Sequence, residues 1–573
     1  MKRLHVILLL VVCWISHLLP QTVSLQPPVA KIVPKADTLH GDIRIDNYFW
    51  LRDRNNPEVV EYLKAENAYT DAVMKPTEAL QETLYNEMVR RIKETDQEPP
   101  YRDGEYFYYS RTEKGKQYPT YCRKKGNLGA GEEIILDPNE MSKGYNFYRV
   151  GALEVSPDHN LLAYSIDTSG SESYTLYIKN LRDSTIYPDR IENTESVEWA
   201  TDNATVFYTT EDSAKRPYRM YRHTLGTSSS ADYKVFEEQD ALYTLSLSRS
   251  LNNRFIYINS NASNADEWQY VAASNPNDRF TVILPRQSGH EYSVADYGND
   301  FYIRTNKNAT TFRLVKVPIT DPGQSNWAEV LPYRKEVTVG GIDFFANHMI
   351  VYEREKGLQK MRVTDMRSSA THYIEFPEPV YTAFSNVNRV FDTNVFRLSY
   401  QSLTTPSSIY DYNLDTKERK LIRQQEVLGG YDPTQYQSER IYAKAGDGVE
   451  VPISLVYKKG VKKDGTAPLH LTGYGSYGSS SQPTFNSNRL SYLNRGVIVA
   501  IAHVRGGGDL GREWYDNGKL LKKKNTFTDF IACAEHLVKE KYTSKEKLTI
   551  SGGSAGGLLI GAVTTMRPVC SQQ

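Results

Sequence analysis

The spacing of apolar residues changes twice along the chain. From Asn55 to about Gln97 they recur every three or four residues, which is the period of an amphipathic helix. From about Pro100 the period becomes two, which is typical of strands with one packed face. Near Tyr431 short apolar runs begin to alternate with helical stretches, as in a parallel α/β sheet. The predicted regions are a helical segment at 26–99, a β-rich region at 100–430 and an α/β domain at 431–573.

Two helices are predicted in the first region. The apolar stripe of the first contains Val59, Tyr62, Leu63, Tyr69 and Val73, and that of the second contains Leu80, Leu84, Met88 and Ile92. Pro57 lies near the start of the first helix, a position where its missing N–H costs nothing. Both helices are expected to precede the strand-rich region.

The β-rich region repeats. A turn followed by an aromatic-rich strand recurs seven times, and the matching tyrosines are Tyr109, Tyr164, Tyr208, Tyr257, Tyr302, Tyr352 and Tyr400, at intervals of 44 to 55 residues. Repeats of this length are typical of propeller blades with four short strands each. A run of sandwich domains is the alternative, but it does not explain the regular interval. The sequence predicts a seven-bladed β-propeller.

The strongest chemical signal lies near the end of the chain, in "LTISGGSAGGLLIGAV". A short strand at 548–551, a Gly-rich turn and a helix around 558–563 surround Ser554 in a G-x-S-x-G pattern. This is the context of a nucleophile elbow. A phosphate loop is disfavoured because no Gly-Lys-Ser/Thr follows. The alternative interpretation is that Ser554 only caps the helix.

An acyl-transfer site also needs donors for the oxyanion of the tetrahedral intermediate. The backbone N–H of Ala555, which follows the candidate nucleophile, is the usual first donor. For a second donor, "LTGYGSYG" places Tyr474 between two glycines after an apolar strand. From spacing alone, a packing role for this tyrosine remains open.

Composition excludes several classes of function. Lys+Arg and Asp+Glu both number 69, so the formal net charge is zero, and nothing global favours nucleic acid or an anionic membrane as a partner. The four cysteines, Cys13, Cys122, Cys533 and Cys570, have neither metal-ligand spacing nor the pattern of a disulfide framework. The sequence therefore predicts no metal site and no cofactor.

The N-terminus carries Lys2 and Arg3 before a mostly apolar run from Leu4 to Leu19. This run is shorter than the roughly 20 residues that span a bilayer. It is typical of a secretory signal peptide. We predict a signal peptide at 1–25 and export to the periplasm or the medium, with an uncleaved N-terminal anchor as the alternative.

The run from His503 to Phe530, "HVRGGGDLGREWYDNGKLLKKKNTFTDF", and the following "KLTISGGSAGGLLIGAVTTMRP" closely resemble the prolyl oligopeptidase family of serine peptidases. The details "GKLLKKKNTFTDF" and "GGSAGGLL" look most like its oligopeptidase B branch. The likeness extends upstream through "GYGSYG" and "AGDGVEVPISLVY" to "DNYFWLRD".

This resemblance implies a seven-bladed propeller that caps an α/β-hydrolase domain built from both ends of the chain, so the segment at 26–99 is expected to pack with that domain. It implies Ser554 as nucleophile, and Tyr474 with the Ala555 N–H as oxyanion hole. The implied substrates are short peptides cleaved after Arg or Lys, with the propeller excluding folded proteins. No cofactor is implied.

The triad of this fold follows the chain order Ser, Asp or Glu, His. The residues after Ser554 contain no Asp, Glu or His. The two nearest histidines, His503 and His536, precede the serine and are expected to have structural or surface roles. After "MRP" the resemblance stops and "VCSQQ" follows, which indicates a C-terminally truncated hydrolase domain. The acidic pocket implied for the Arg or Lys preference would also lie beyond Gln573.

The sequence thus predicts an exported serine oligopeptidase whose 573-residue chain is inactive as it stands. Two alternatives remain open. One is another α/β-hydrolase on the same fold, such as a dipeptidyl peptidase or an esterase. The other is a non-catalytic, propeller-based protein that binds peptides.

Overall fold

The computed structural model describes residues 25–568. The predicted signal peptide therefore lies, except for its last residue, outside the described residues, as do Cys13 and Cys570. None of the helices in the described part is long and apolar enough to cross a bilayer. Cys122 and Cys533 are free thiols and fully buried, as expected for small apolar side chains.

The chain up to Val89 forms a compact unit of its own. It contains an antiparallel hairpin and two helices: β1 (Lys35–Leu39), β2 (Asp42–Asp46), α1 (Pro57–Met74) and α2 (Glu78–Val89). Helix α1 begins after Asn56, whose side chain accepts a hydrogen bond from the Glu58 N–H at 3.0 Å. This is a standard N-cap.

One detail of the helical prediction is wrong, which is the end of the second helix. The hairpin β1–β2 lies before both helices and was not predicted. Its only apolar alternation, Ile43 and Ile45 in β2, spans five residues, and both strands are exposed throughout. Helix α2 ends at Val89, so Ile92 does not continue its apolar stripe. The chain turns there because Asp96 and Gln97 already pair with a propeller strand.

Seven sheets follow, one after another along the chain. Blade 1 contains β3 (Asp96–Gln97), β4 (Tyr101–Asp103), β5 (Tyr106–Thr112), β6 (Thr120–Lys125) and β7 (Glu133–Leu136), followed by the short helix α3 (Pro138–Met141). Blade 2 contains β8 (Arg149–Val155), β9 (Leu161–Asp167), β10 (Thr175–Asn180) and β11 (Ile186–Glu192). Blade 3 contains β12 (Thr194–Trp199), β13 (Thr205–Glu211), β14 (Pro217–Thr224) and β15 (Tyr233–Glu237).

Blade 4 contains β16 (Thr244–Arg249), β17 (Phe255–Ala262), β18 (Ala265–Ala272) and β19 (Thr281–Leu284). Blade 5 contains β20 (Tyr292–Tyr297), β21 (Asp300–Thr305), β22 (Arg313–Pro318) and β23 (Ala328–Leu331). Blade 6 contains β24 (Val337–Phe345), β25 (His348–Glu355), β26 (Leu358–Asp365) and β27 (Thr371–Tyr373). Blade 7 contains β28 (Tyr381–Ser385), β29 (Val395–Ser402), β30 (Ser408–Asn413) and β31 (Arg419–Gln424). The predicted seven-bladed propeller is confirmed.

The seven repeated tyrosines lie in β5, β9, β13, β17, β21, β25 and β29. Each of these is the second strand in the hydrogen-bonded order of its blade, because β4 of blade 1 lies off the order β3-β5-β6-β7. Six of them are at most 5% exposed, and Tyr352 is partly buried. Five hydroxyls donate to a carboxylate at 2.5–2.9 Å, in the pairs Tyr109–Glu132, Tyr208–Asp232, Tyr257–Asp296, Tyr352–Asp343 and Tyr400–Glu378. Tyrosine suits this position because its ring fills apolar space while its hydroxyl finds an acceptor.

The cores of the propeller lie between neighbouring blades. Between blades 4 and 5, for example, Phe301 is fully buried and meets the Tyr270 ring edge-on, with 5.0 Å between the centroids. Comparable apolar clusters join the other consecutive pairs from blade 1 to blade 7. Each blade is therefore stabilised by its neighbours.

A five-stranded mixed sheet forms the α/β domain. Its elements are β32 (Tyr436–Lys444), β33 (Glu450–Lys458), β34 (Leu469–Gly473), α4 (Leu490–Leu493), β35 (Ile498–Ala502), α5 (Arg512–Asp516), α6 (Lys524–Lys539), β36 (Leu548–Ser551) and α7 (Ala555–Met566). The strand order is β32-β33-β35-β34-β36. The hairpin β32–β33 is antiparallel, whereas β34 is parallel to both β35 and β36. This order brings the carboxyl ends of three parallel strands to one edge.

The propeller contacts this domain directly. Val380 and Leu403 of the blade 7 region share an apolar cluster with Phe485 and Val499. Arg512 forms an ion pair with Glu291, which precedes β20. A cavity of about 400 Å³ is lined by residues of blades 6 and 7 and by Gly508, in the loop after β35. The carboxyl edge of the parallel strands therefore faces the propeller.

Candidate active site

Ser554 occupies the sharp turn between β36 and α7. Its backbone angles are φ 55° and ψ −121°, which a residue with a side chain rarely adopts. The residue is exposed, and its side chain makes no capping hydrogen bond to α7. The alternative that Ser554 serves only as a helix cap is therefore not supported by the geometry. The turn instead presents the hydroxyl at the edge of the sheet.

Two glycines make this turn possible. A Cβ at Gly552 would lie 2.4 Å from the Gly556 carbonyl oxygen, and a Cβ at Gly556 would lie 2.9 Å from the Gly473 oxygen. Both positions must lack a side chain because real Cβ atoms do not approach backbone oxygens so closely. The two glycines of the G-x-S-x-G pattern are thus required by two close backbone contacts, one within the turn and one to the end of β34.

The first turn of α7 leaves an amide available beside Ser554. The Gly556 and Gly557 N–H groups donate to the carbonyls of Gly553 and Ser554, each at 2.8 Å. Ala555 is the first helical residue, and within residues 25–568 its N–H has no acceptor. An unpaired amide at a helix N-terminus is suited to bind an oxygen that carries negative charge.

Tyr474 lies in the loop after β34, next to the elbow. Strands β34 and β36 are neighbours, with Thr472 opposite Ser551, so their loops emerge side by side. The Tyr474 ring comes within 3.7 Å of the position a Cβ would take at Gly556. Tyr474 is half-buried, and its hydroxyl has no hydrogen-bond partner among the described residues. A hydroxyl without a protein partner remains free to bind a ligand.

The loop that carries Tyr474 is held by residues that the sequence analysis missed. The Lys523 ammonium donates to the Gly475 carbonyl oxygen and to Ser476 Oγ, both at 2.6 Å. Thr526 Oγ1 donates to the Arg505 carbonyl at 2.7 Å, which joins the next loop to α6. Lys523 and Thr526 lie in "KKKNTFTDF", a stretch that carries the family resemblance. The resemblance assigned neither residue a role in holding the Tyr474 loop.

A buried ion pair fixes the loop after β35. Arg505 donates to Asp529 of α6 through Nε at 2.9 Å and Nη2 at 2.6 Å. Its Nη1 donates to Asp447 at 2.5 Å. These bonds to Asp529 come first among the causes that raise the pKa of Arg505. Such bidentate pairs set orientation as well as charge.

A second serine has the bonding pattern of a catalytic triad. His503 Nε2 lies 2.7 Å from Ser454 Oγ, and His503 Nδ1 lies 2.8 Å from Asp509 Oδ1. However, Ser454 is 0% exposed and lies within β33, in the middle of the sheet. No substrate can reach it, so this arrangement stabilises the core. The expectation that His503 is structural agrees with this position.

No histidine in the described part of the chain bonds to Ser554. His470 on β34 is near the elbow, but its ring nitrogens bond to Thr549 and Ser551 of β36, at 3.0 and 2.9 Å. Burial lowers the pKa of His470. His536 is partly buried in α6. Among residues 25–568, the elbow therefore has no histidine bonded to its serine.

Comparison with known proteins agrees with this architecture. Residues 27–425 match the family described as prolyl oligopeptidase, N-terminal beta-propeller domain, and residues 483–570 match the prolyl oligopeptidase family. The chain belongs to the prolyl oligopeptidase family of serine peptidases. Hydrolysis of peptides is the general function that this membership gives it, and the family predicted from the sequence is confirmed.

Several relatives are similar over nearly the whole chain. Dipeptidyl aminopeptidase BI of Pseudoxanthomonas mexicana is 41% identical over 95% of this chain and 78% of its own length. Protease 2 of Moraxella lacunata is 38% identical over 94% of this chain and 79% of its own. Among solved structures, oligopeptidase B from Leishmania major is 34% identical, with a TM-score of 0.88 over 96% of this chain and 81% of that one.

The strained backbone at Ser554 makes a prediction about stability. Ser554→Gly should raise the free energy of unfolding by about 1 kcal/mol relative to Ser554→Ala, because strain of roughly 1–3 kcal/mol is relieved while glycine costs about 0.5–1 kcal/mol of backbone entropy. Urea denaturation of both variants measures this difference.

The matched control is Ser246, an exposed residue inside β16 without a positive φ. Ser246→Gly should be less stable than Ser246→Ala, because glycine costs backbone entropy in a strand. If Ser554→Gly also proved less stable than its alanine counterpart, the turn would store no strain.

Proposed function

We propose that this protein is a serine oligopeptidase in which Ser554 is the nucleophile. The observation that carries the proposal is the exposed, strained Ser554 with an unused hydroxyl, next to an unpaired Ala555 N–H and the Tyr474 loop. Strain at such a turn is a known feature of nucleophile elbows.

In the proposed reaction, Ser554 Oγ attacks the carbonyl carbon of the scissile peptide bond and loses its proton to a base. The Ala555 N–H and the Tyr474 hydroxyl donate to the resulting oxyanion. The amine then leaves as the acyl-enzyme forms, and water releases the peptide acid in the second half. Lys523 holds the Gly475 carbonyl and Ser476, and thereby keeps the Tyr474 loop in place.

We further propose that the substrates are short peptides cleaved after Arg or Lys, reached past the propeller. Similarity to oligopeptidase B from Leishmania major and from Trypanosoma brucei, the latter 35% identical and solved with covalently bound antipain, supports this specificity. The second candidate is a dipeptidyl aminopeptidase, which the 41% identity to dipeptidyl aminopeptidase BI favours.

The two candidates differ in what they require of the substrate N-terminus. In a form that also supplies the triad Asp and His, we expect peptides ending in Arg-coumarin to be hydrolysed even when the N-terminus is blocked. A Pro-ended peptide and a simple ester serve as comparison substrates. If only free N-terminal dipeptides were released, the dipeptidyl aminopeptidase would replace the oligopeptidase, while the role of Ser554 would stand.

We propose that a polypeptide of these 573 residues has negligible peptidase activity. No Asp, Glu or His follows Ser554 within it, so nothing takes the serine proton at neutral pH. What remains is catalysis by the oxyanion groups and by binding, roughly 10³–10⁴-fold over water. Such a chain could still bind peptides, which is the function of the non-catalytic alternative.

An assay of the purified 573-residue chain with an Arg-ended fluorogenic peptide tests this proposal. The expected rate is the same as for its Ser554→Ala variant, because the serine is not activated. Turnover at ordinary enzyme rates that disappears in the Ser554→Ala variant would show that a base exists and would overturn the argument.

We propose export as the destination of the protein, on the basis of Lys2, Arg3 and the apolar run at 4–19. Cell fractionation with N-terminal sequencing of the mature chain distinguishes a cleaved signal from an uncleaved anchor. A full-length cytoplasmic chain would contradict both.

Tyr474→Phe tests the oxyanion hole. In a form that supplies the triad partners, the variant should lose roughly 10²–10³ in kcat, or about 3–4 kcal/mol, because one donor to the transition state is removed. KM should stay nearly constant, since ground-state binding changes little. Steady-state kinetics separate the two parameters.

Tyr477→Phe is the matched control, because Tyr477 lies in the same loop and is 79% exposed. It should leave both parameters unchanged. If kcat were unchanged in Tyr474→Phe, the Tyr474 hydroxyl would not be a donor to the oxyanion, and the residue would only pack.

A further inference from the structure

Three side chains converge where blades 6 and 7 meet, far from Ser554 in the sequence. His348 begins β25 and Asp365 ends β26, and the two residues are directly opposite each other in the antiparallel pair. Asp415 follows β30 of blade 7. One ligand atom from each of the three residues lies within 4.8 Å of the others. We call these residues the inter-blade cluster.

His348 lacks the partners that a buried imidazole needs. The residue is 1% exposed, and neither ring nitrogen has a hydrogen-bond partner among the described residues. Its Nε2 points toward the carboxylates and lies 3.2 Å from Asp415 Oδ1, without the geometry of a hydrogen bond. Buried polar atoms are nearly always hydrogen-bonded. Two unpaired nitrogens on the buried His348 ring therefore indicate that a ligand can bind there.

The two carboxylates already hold a cation. Arg367 Nη2 lies 2.8 Å from Asp365 Oδ2 and 2.6 Å from Asp415 Oδ1. Its Nε also donates to Asp365 Oδ1 at 3.0 Å, so an ion would have to displace a two-point contact. The arginine side chain is nevertheless 51% exposed, and it can move into water when it is displaced. The guanidinium forms no bond to His348, and a metal ion would satisfy the ring and both carboxylates together. Asn394 donates to the other oxygen of Asp415 at 3.1 Å and orients it.

We propose that the inter-blade cluster binds a first-row divalent cation such as Zn²⁺, in competition with Arg367. One neutral imidazole and two carboxylates are a common donor set for this ion, with water as the fourth ligand. In a tetrahedral site, donors bound at about 2.0–2.2 Å lie about 3.3–3.6 Å apart. The most distant pair of the cluster therefore has to approach by up to about 1.5 Å, and the exposed turn of Asp415 can provide this. The bound ion would join blade 6 to blade 7.

Titration calorimetry of the EDTA-stripped 573-residue chain with Zn²⁺ tests the proposal. Asp365→Asn and Asp415→Asn should each weaken one site by at least about 100-fold, since even outer-shell partners of a metal are worth 10–100-fold in affinity. Arg367→Met should strengthen the same site by about tenfold, because two ion pairs of up to about 1 kcal/mol each no longer compete. Zn²⁺ should raise the melting temperature of the parent and more so that of Arg367→Met.

Asp183→Asn is the matched control, because Asp183 lies in the corresponding turn of blade 2, between β10 and β11. It should bind Zn²⁺ like the parent. Near-ultraviolet circular dichroism of the EDTA-treated variants checks that each is folded, and Arg367→Met leaves all three ligands in place.

Two results would overturn the proposal. If Zn²⁺ affinity were equal in the parent, the two Asn variants and Arg367→Met, the cluster would be an arginine-bridged ion pair only. If Ca²⁺ or Mg²⁺ bound tightly at the cluster while Zn²⁺ did not, the assignment to a first-row cation would be wrong, because the imidazole would then not be a ligand.

Discussion

The contact between the backbones of Gly473, Gly552 and Gly556 fixes the geometry of the active-site edge. Gly556 approaches the end of β34 so closely that a single Cβ would collide with a carbonyl oxygen. This contact places the Tyr474 loop beside the turn that carries Ser554. The parallel pairing of β34 with β36 makes it possible, because both loops then leave the sheet at the same edge. Strand order and the missing side chains of Gly552 and Gly556 together assemble the proposed nucleophile and oxyanion groups.

Around this contact, polar side chains position what the sheet alone would leave loose. Arg505 is held by Asp529 and Asp447, and Lys523 holds the carbonyl of Gly475. Burial strengthens the Arg505–Asp529 pair in particular, because competing water is excluded there. The same burial removes the Ser454–His503–Asp509 arrangement from catalysis. Identical functional groups thus have opposite roles, according to whether a substrate can reach the hydroxyl.

The propeller uses a different rule, which is repetition. Each blade buries an aromatic ring against its neighbours, and in five blades the tyrosine hydroxyl donates to a carboxylate. A phenylalanine would leave these acceptors with one partner fewer, so the five pairs contribute to the excess of 42 Tyr over 18 Phe. The repeat is therefore visible in composition as well as in spacing.

The sequence by itself determined the features that depend on local chemistry and period. The seven tyrosine strands predicted the blade count, and the glycines around Ser554 predicted the elbow. The hairpin β1–β2 was not predicted, because its strands are exposed throughout and the one apolar alternation, Ile43 and Ile45, spans only five residues. The signal peptide and the domain boundaries stay predictions.

Only the tertiary structure decided which distant residues meet. Tyr474 adjoins Gly556 because β34 is inserted between β35 and β36, and no spacing in the sequence encodes that order. His348 and Asp415 converge because two blades close against each other. The physical reason is the same in both cases. Local periodicity reports how each segment folds, whereas the contacts between segments depend on how strands are ordered and how sheets close, which is settled by packing over the whole chain.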